Sequence, residues 1–175
     1  DGTSGLVDGS RLSKAAPLIG AIGDVDEANS TIGVAAALAQ GELARQLMTI
    51  QNDLFDLGAD LATPGDDFAP TAMALRVVEA QVERLEDEID AMNEAIAPLT
   101  SFVLPGGSSL AAALHVARAT VRRAERSAVT ATLVRALNPI ALAYLNRLSD
   151  WLFVASRAAN SDGADDVLWI PGASR

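Results

Sequence analysis

The sequence predicts an all-α protein, a five-helix up-and-down bundle. Three observations lead there. Apolar residues recur at spacings of three and four along five stretches, Pro and Gly concentrate between those stretches, and no stretch alternates as a half-buried strand does. Half of the 175 residues are hydrophobic, yet only 4 Phe, 2 Trp and 1 Tyr occur. The core is therefore aliphatic and alanine-rich, a filling that suits helices packed closely together. A chain of this length reads as a single domain over 1–175, with an arm at 1–18, a bundle at 19–160 and a tail at 161–175.

Residues 1–18, rich in Gly, Ser and Asp, read as a loop or arm. The first helix starts at Ile19 or Asp24 and ends at Leu38, with Asp24, Asp26 and Glu27 crowding its N-terminal turn, where acids favour the helix dipole. The second follows Gly41 and carries Leu43, Leu47, Ile50, Leu54, Leu57 and Leu61 on one face. "TPGDDFAP" (63–70) interrupts the pattern. A third helix is predicted over 71–95, with Leu75, Val78, Val82, Leu85, Ile89 and Met92 in register. After "APLTSFVLPGG", Ser108 or Ser109 caps a fourth helix that reaches Leu133. Asn138-Pro139 opens a fifth, Pro being harmless at an early helical position, with Ala141, Leu145, Leu148, Leu152, Ala155 and Ala159 on its inner face. The ending "VLWIPGASR" is a tail that either docks Trp169 or stays mobile.

The formal charge of -10 argues against a nucleic-acid surface. No apolar run approaches the roughly 20 residues that span a bilayer, and "DGTSG" is unlike a secretory leader. The absence of Cys excludes disulfides and thiolate metal sites. The expectation is a soluble cytoplasmic protein with no membrane and no nucleic-acid partner.

Cations are few, so their places carry information. Lys14 is the single lysine, and four of the arginines, Arg118, Arg122, Arg123 and Arg126, crowd "HVARATVRRAER". At about 100° per residue, Arg118, Arg122 and Glu125 share a sector of about 60°, Arg126 lies near its edge and Arg123 points away. Guanidinium forks match phosphate oxygens. The same row also fits an intersubunit or intrahelical salt-bridge network, and both readings stand at this point. Asp24, Asp26 and Glu27 are either dipole-favouring acids or partners of the row. In "NRLSD" (146–150), Asn146 can donate and accept as a base or sugar hydroxyl requires, or simply face solvent. His115, the one histidine, lacks a companion ligand and reads as a packed or hydrogen-bonded residue. P-loop and Rossmann fingerprints are absent. In "SFVLPGGSS" a scarce aromatic, Phe102, stands beside a flexible glycine pair, either sealing a bundle end or presenting a ring to a ligand.

Taken in order, "DGTSGL" with "SRLSK", "GDVDEANSTIG", "IQNDLFDLGADLATP", "SFVLPGGSSLAAALHVARATVRRAER" and "YLNRLSDWLFVASRAAN" resemble the PduO-type ATP:cob(I)alamin adenosyltransferases over nearly the whole chain. The resemblance implies a ferritin-like bundle assembled as a homotrimer with sites between subunits. It also implies transfer of the 5′-deoxyadenosyl group of ATP to the cobalt of a reduced corrinoid, with release of triphosphate and Mg²⁺ bridging phosphates. Gly2, Thr3, Ser4, Gly5 and Lys14 match the phosphate-wrapping arm. Arg122, Arg123, Glu125 and Arg126 match the nucleotide segment, and Asn146 the nucleotide-binding asparagine. Asp26 and Arg118 match a pair that bridges subunits beside the site. Phe102 matches the aromatic under the corrin ring, so the catalytic set implied is Arg118, Arg122, Phe102 and Asp26. A flavin reductase and an adenosylcobalamin-dependent enzyme are the implied protein partners, with the product handed on to the latter. The residues leave two other readings open, a non-catalytic carrier of ATP or cobalamin and a structural helical oligomer. Departures from the family pattern lie in the arm: the chain opens within its Thr-Gly-Asp element, "AAPLIG" follows the lysine in place of an acid-Pro-basic stretch, and Ile22 stands where an aromatic is common.

Overall fold

A computed structural model describes residues 1–72, 74–173 and 175 of the chain. Five helices form, α1 (Pro17–Leu38), α2 (Gly41–Leu61), α3 (Glu79–Asn93), α4 (Ser109–Thr132) and α5 (Pro139–Ala158), preceded by a hairpin of β1 (Thr3–Gly5) and β2 (Arg11–Ser13). None of these helices is long and apolar enough to cross a membrane.

Small residues set the layout. α1 packs most extensively on α4, with Ala21, Ala28 and Ala35 of one and Ala117, Ala124 and Ala128 of the other wholly buried. Side chains this short let two helix axes approach closely, and Thr31 and Thr120 meet across the seam, Oγ1 to Oγ1, at 2.7 Å. α2 lies against α1, while α5 is held between α4 and α3. Larger side chains fill the middle: Leu47, Leu54, Leu57, Leu114, Leu145, Leu148, Leu152, Tyr144 and Trp151 are almost fully buried.

Ser108 is the cap of α4, accepting from Ala111 N at 3.1 Å, and Asn138 caps α5 through Ile140 N at 3.0 Å. Each satisfies an amide that the helix start leaves without a carbonyl.

Three expectations are corrected, and a fourth that left two outcomes open is decided. α3 starts at Glu79, not near residue 71. Leu75 and Val78 keep helical spacing but are 58% and 36% exposed, because Arg76 between them is drawn into the interior. Its guanidinium bonds the Asp60 carboxylate at 2.7 Å, and the other Asp60 oxygen accepts from Val77 N at 2.9 Å and Asn138 Nδ2 at 2.7 Å. Those bonds need an extended backbone at 76–77. Second, α1 starts earlier, at Pro17, so Asp24, Asp26 and Glu27 lie in mid-helix, beyond the reach of the dipole at its first turn. Third, the arm is a hairpin: its strands are three residues each, too short to show alternation, and pair Thr3 with Ser13 and Gly5 with Arg11. Fourth, the tail docks. Val103 and Leu168 form a β-bridge, and Trp169 N donates to Phe102 O at 2.8 Å.

A second buried network ties α3 to the bundle. Asp53 accepts from Gln81 Nε2 at 2.9 Å and Tyr144 Oη at 2.7 Å, and pairs with Arg84. Burial and the Asp53 charge hold the Tyr144 phenol well above its ordinary pKa. Glu88, raised by burial, accepts from Trp151 Nε1 at 2.7 Å.

Candidate functional site

The outer face of α4 carries the charge that the bundle does not use. Its inner positions, Leu114, Ala117, Val121, Ala124 and Ala128, are buried, which fixes the helix rotation and turns Arg118, Arg122 and Arg126 outward. Arg122 is exposed, and its guanidinium has no hydrogen bond or ion pair among the described residues. Arg126 reaches only a backbone oxygen, that of Arg122, at 2.9 Å. Arg118 lies 6.0 Å from the Phe153 ring centroid, with its Nε buried and unbonded. Burial and the adjacent Arg122 charge lower the pKa of Arg118, so an anion placed there would relieve both.

Arg123 faces the other way, as the helical angle requires. It pairs with Glu27 and, at 3.5 Å, with Asp24, and this raises its pKa. Ser127 Oγ donates to the second Asp24 oxygen at 2.5 Å. Two of the three acids of α1 are therefore partners of the arginine segment. Asp26 is not. Its carboxylate has no partner among the described residues and makes no pair with Arg118 within the chain. It lines a cleft of about 480 Å³ between α1 and α2, with Ile22, Asn29, Leu54 and the exposed Phe55.

Glu125 and Asn146, 21 residues apart, meet across α4 and α5, with Asn146 Nδ2 donating to Glu125 Oε1 at 2.9 Å. The hairpin brings Lys14 back beside the first residues of the arm: Lys14 N donates to Gly2 O at 2.9 Å, and Thr3 faces Ser13. Gly2 has φ +72°, a conformation that glycine takes without strain. Ser4 and Gly5 pair with Leu12 and Arg11. The Thr3 hydroxyl is already engaged, donating to Asp1 at 2.8 Å and accepting from Arg11 Nε at 2.8 Å. Lys14 shares a cleft with Ser127 and Thr130 of α4, and Thr130 Oγ1 bonds the carbonyl of Arg126. Arm and lysine thus lie beside the C-terminal half of α4, at Ser127 and Thr130.

Phe102 is 76% exposed, and its ring meets the Trp169 ring edge-on at 5.9 Å between centroids. The tail holds its backbone: Leu104 N donates to Val167 O at 2.7 Å and Ser101 Oγ to Trp169 O at 2.9 Å. His115 is packed, as expected, against Phe153. Neither ring nitrogen has a partner, and burial with the Arg118 charge keeps its pKa below the usual imidazole value. Among the described residues no group of three or more His, Cys, Asp or Glu could hold a metal ion.

Sequence reasoning missed Ser127, Phe153, Arg157 and Asn160. Arg157 and Asn160 are buried at the end of α5, where polar residues ordinarily read as solvated surface. Nothing in "SRAAN" distinguishes them from a solvated helix end.

Comparison with known proteins adds to this geometry. The family model described as cobalamin adenosyltransferase matches residues 1–159. A corrinoid adenosyltransferase of Mycobacterium tuberculosis is 50% identical over 179 residues, spanning 100% of this chain and 91% of the relative. One from Bacillus subtilis is 41% identical over 174 residues, spanning 95% and 86%. Among solved structures, a phenylalanine-to-alanine variant of a PduO-type ATP:corrinoid adenosyltransferase from Lactobacillus reuteri, complexed with cobalamin and ATP, superposes with a TM-score of 0.87 at 38% identity over 96% of this chain and 94% of that one. An arginine-to-lysine variant of the same protein complexed with ATP gives 0.86, also at 38% identity, over 97% and 95%.

Proposed function

The chain belongs to the cobalamin adenosyltransferase family, and on that premise we propose that it transfers the 5′-deoxyadenosyl group of ATP to the cobalt of reduced cobalamin, forming adenosylcobalamin and releasing triphosphate. One observation carries the reading of the site: among the described residues Arg118, Arg122 and Arg126 stand on α4 without carboxylate partners, while Arg76, Arg84, Arg123, Arg147 and Arg157 are all paired.

The reaction suits a site without a nucleophilic side chain. Cobalt(I) supplies the electron pair that forms the bond to C5′, and the C5′–O bond breaks with its electrons leaving on triphosphate. The protein's share is to position and to stabilise charge. Holding two reactants in line contributes up to about 7–11 kcal/mol. A single preorganised donor at developing charge contributes about 3–4 kcal/mol. In this assignment Arg122 and Arg126 take triphosphate oxygens, and Lys14 closes over them with the backbone of Gly2, Thr3, Ser4 and Gly5. Asn146 and Glu125, already bonded to each other, face the nucleoside. Arg123 holds α1 to α4 at the nucleotide segment through Asp24 and Glu27. Mg²⁺ would be carried by the ATP phosphates and would supply charge neutralisation there, with Arg122, Arg126 and Lys14 as the protein's own cations at the triphosphate.

Phe102 is assigned to the lower face of the corrin ring. An exposed apolar ring held on a pinned backbone excludes water and an axial ligand there, and four-coordinate cobalt(II) is easier to reduce to cobalt(I). The assembly assigned is a homotrimer. Asp26 and Arg118 form no ion pair among the described residues, and apolar Phe55 on α2 and Val116 and Val129 on α4 are exposed. The whole chain serves as one catalytic domain.

Product analysis tests this reading. Incubation with ATP, Mg²⁺ and chemically reduced cobalamin is expected to give adenosylcobalamin and triphosphate in equal amounts. Binding of both substrates with no adenosylated product would identify a carrier instead.

A further inference from the structure

We propose that Asn160, with Arg157 and Asp166, is a positioning device that aims Phe102, an inference that rests on the assignment of Phe102 to the corrin face. The connection from α3 to α4 is gripped at both ends from a single turn of α5. At its start, Arg157 Nη2 donates to Ala97 O at 2.9 Å. At its finish, Asn160 Oδ1 accepts from Ser108 N at 3.0 Å and Asn160 Nδ2 donates to Gly106 O at 3.3 Å. Ser108 Oγ adds a bond to Ala159 O at 3.0 Å while still capping α4. Asp166 joins the two grips, accepting from Arg157 Nε at 2.7 Å and Asn160 Nδ2 at 3.4 Å.

The backbone is shaped for this. Gly107 has φ +99°, and a side chain there would run into the Asn160 carboxamide. Directly after Asn160, three successive residues adopt positive φ, Ser161 (53°), Asp162 (52°) and Gly163 (85°). Two of them are not glycine, a conformation that costs energy unless the surroundings enforce it. The reversal returns Asp166 to the end of α5 and starts the tail strand on its way to Val103 and Phe102.

Asn160 is 2% exposed and Arg157 8%, whereas Phe102, on the loop they grip, is 76% exposed. The Phe102 ring touches the Trp169 ring edge-on and is otherwise open to solvent, so its place is set largely by the backbone on either side and by the tail that carries Trp169. A carboxamide that accepts from one end of the loop, donates to it, and donates also to Asp166 is suited to do so. The three residues act through Phe102, and none of them is assigned a contact with substrate.

The test is Asn160→Ala in the full chain, read with cobalamin and ATP. The expected result is a fall of about tenfold in kcat and a weaker spectroscopic signature of four-coordinate cobalt(II), with KM for ATP changed by less than about twofold. In a Phe102→Ala background the same substitution is expected to add less than about twofold, because both act on one element. Asp166→Asn, which keeps its size and loses the charge facing Arg157, is expected to show the same pattern if Asn160→Ala does not fold. A folded variant with a wild-type signature, or losses that multiply independently with Phe102→Ala, would overturn the positioning role. If Phe102→Ala itself leaves the cobalamin step unchanged, the assignment of Phe102 fails, and the proposal with it.

Discussion

Arg76, between α2 and α3, and Arg122, on α4, carry the same guanidinium into opposite surroundings. Arg76 has a side chain 3% exposed, and its terminal nitrogens bond the Asp60 carboxylate and the carbonyls of Asp60, Thr63 and Asp67. Arg122 is exposed, and its guanidinium bonds nothing among the described residues. A buried guanidinium whose terminal nitrogens are engaged by the fold has little to offer a ligand, and its worth lies in the chain segments it fixes. An unsaturated one adds little to the fold and keeps its donors for an anion. The difference divides this chain into a seam held by buried polar bonds (α2, α3, α5) and a seam held by small residues (α1, α4). In the latter, Arg123 is paired across to α1, and the outward row of Arg118, Arg122 and Arg126 forms no ion pair among the described residues.

Substitutions on the two sides should therefore separate stability from activity. The largest effect is expected for Asp60→Ala, which strands the buried Arg76 charge and removes the acceptor for Val77 N and Asn138. Chemical denaturation should show a loss of about 3–5 kcal/mol. A loss below about 1 kcal/mol would mean that the network is not what holds residues 76–78 extended.

Next comes Phe102→Ala. Losing an aromatic contact of about 1.5–3 kcal/mol with the corrin corresponds to about 10–100-fold in the cobalamin-dependent step. ATP affinity and melting temperature should stay near wild type, since the ring is exposed. An equal loss of ATP binding would make Phe102 a structural residue.

A smaller effect concerns pH. Burial and Arg118 keep His115 neutral, with a pKa below the ordinary 6.5. Between that lowered value and about 6.5 the unfolded chain binds more protons than the folded one, so stability falls as pH drops through this window. His115→Leu should flatten that part of the stability curve, and an unchanged slope would assign it to other groups. The smallest effect is expected for Arg45→Ala, which breaks an exposed pair with Glu42 within α2 and should cost between 0 and about 1 kcal/mol in a thermal melt.

The same division explains what could be read from the sequence. α4 and α5 were legible in detail because their buried positions are local and periodic, and their caps, Ser108 and Asn138, act within three residues. The start of α3 was not, because Asp60, 16 residues away, overrides the helical spacing of Leu75 and Val78. The hairpin was missed because three-residue strands carry too little pattern. The arginine row could be read from helical angles alone, and so could the separate direction of Arg123. That Asp24 and Glu27 meet Arg123, or that Glu125 meets Asn146, depends on helix contacts that periodicity does not encode. Least legible was the grip of Arg157 and Asn160 on the Phe102 loop, since nothing in "SRAAN" marks polar side chains as buried.

The central claim is that the unpaired row on α4 serves ATP and not the fold. It is tested most directly by Arg122→Ala, followed through the disappearance of the cobalt(I) band in the presence of ATP and Mg²⁺, with the mass of the assembly measured on the same sample. The account predicts turnover reduced by about 10²–10³-fold, as for loss of one well-aimed donor, with assembly mass and melting temperature retained. Dissociation of the assembly with undiminished turnover per chain would contradict it and make the row an interface.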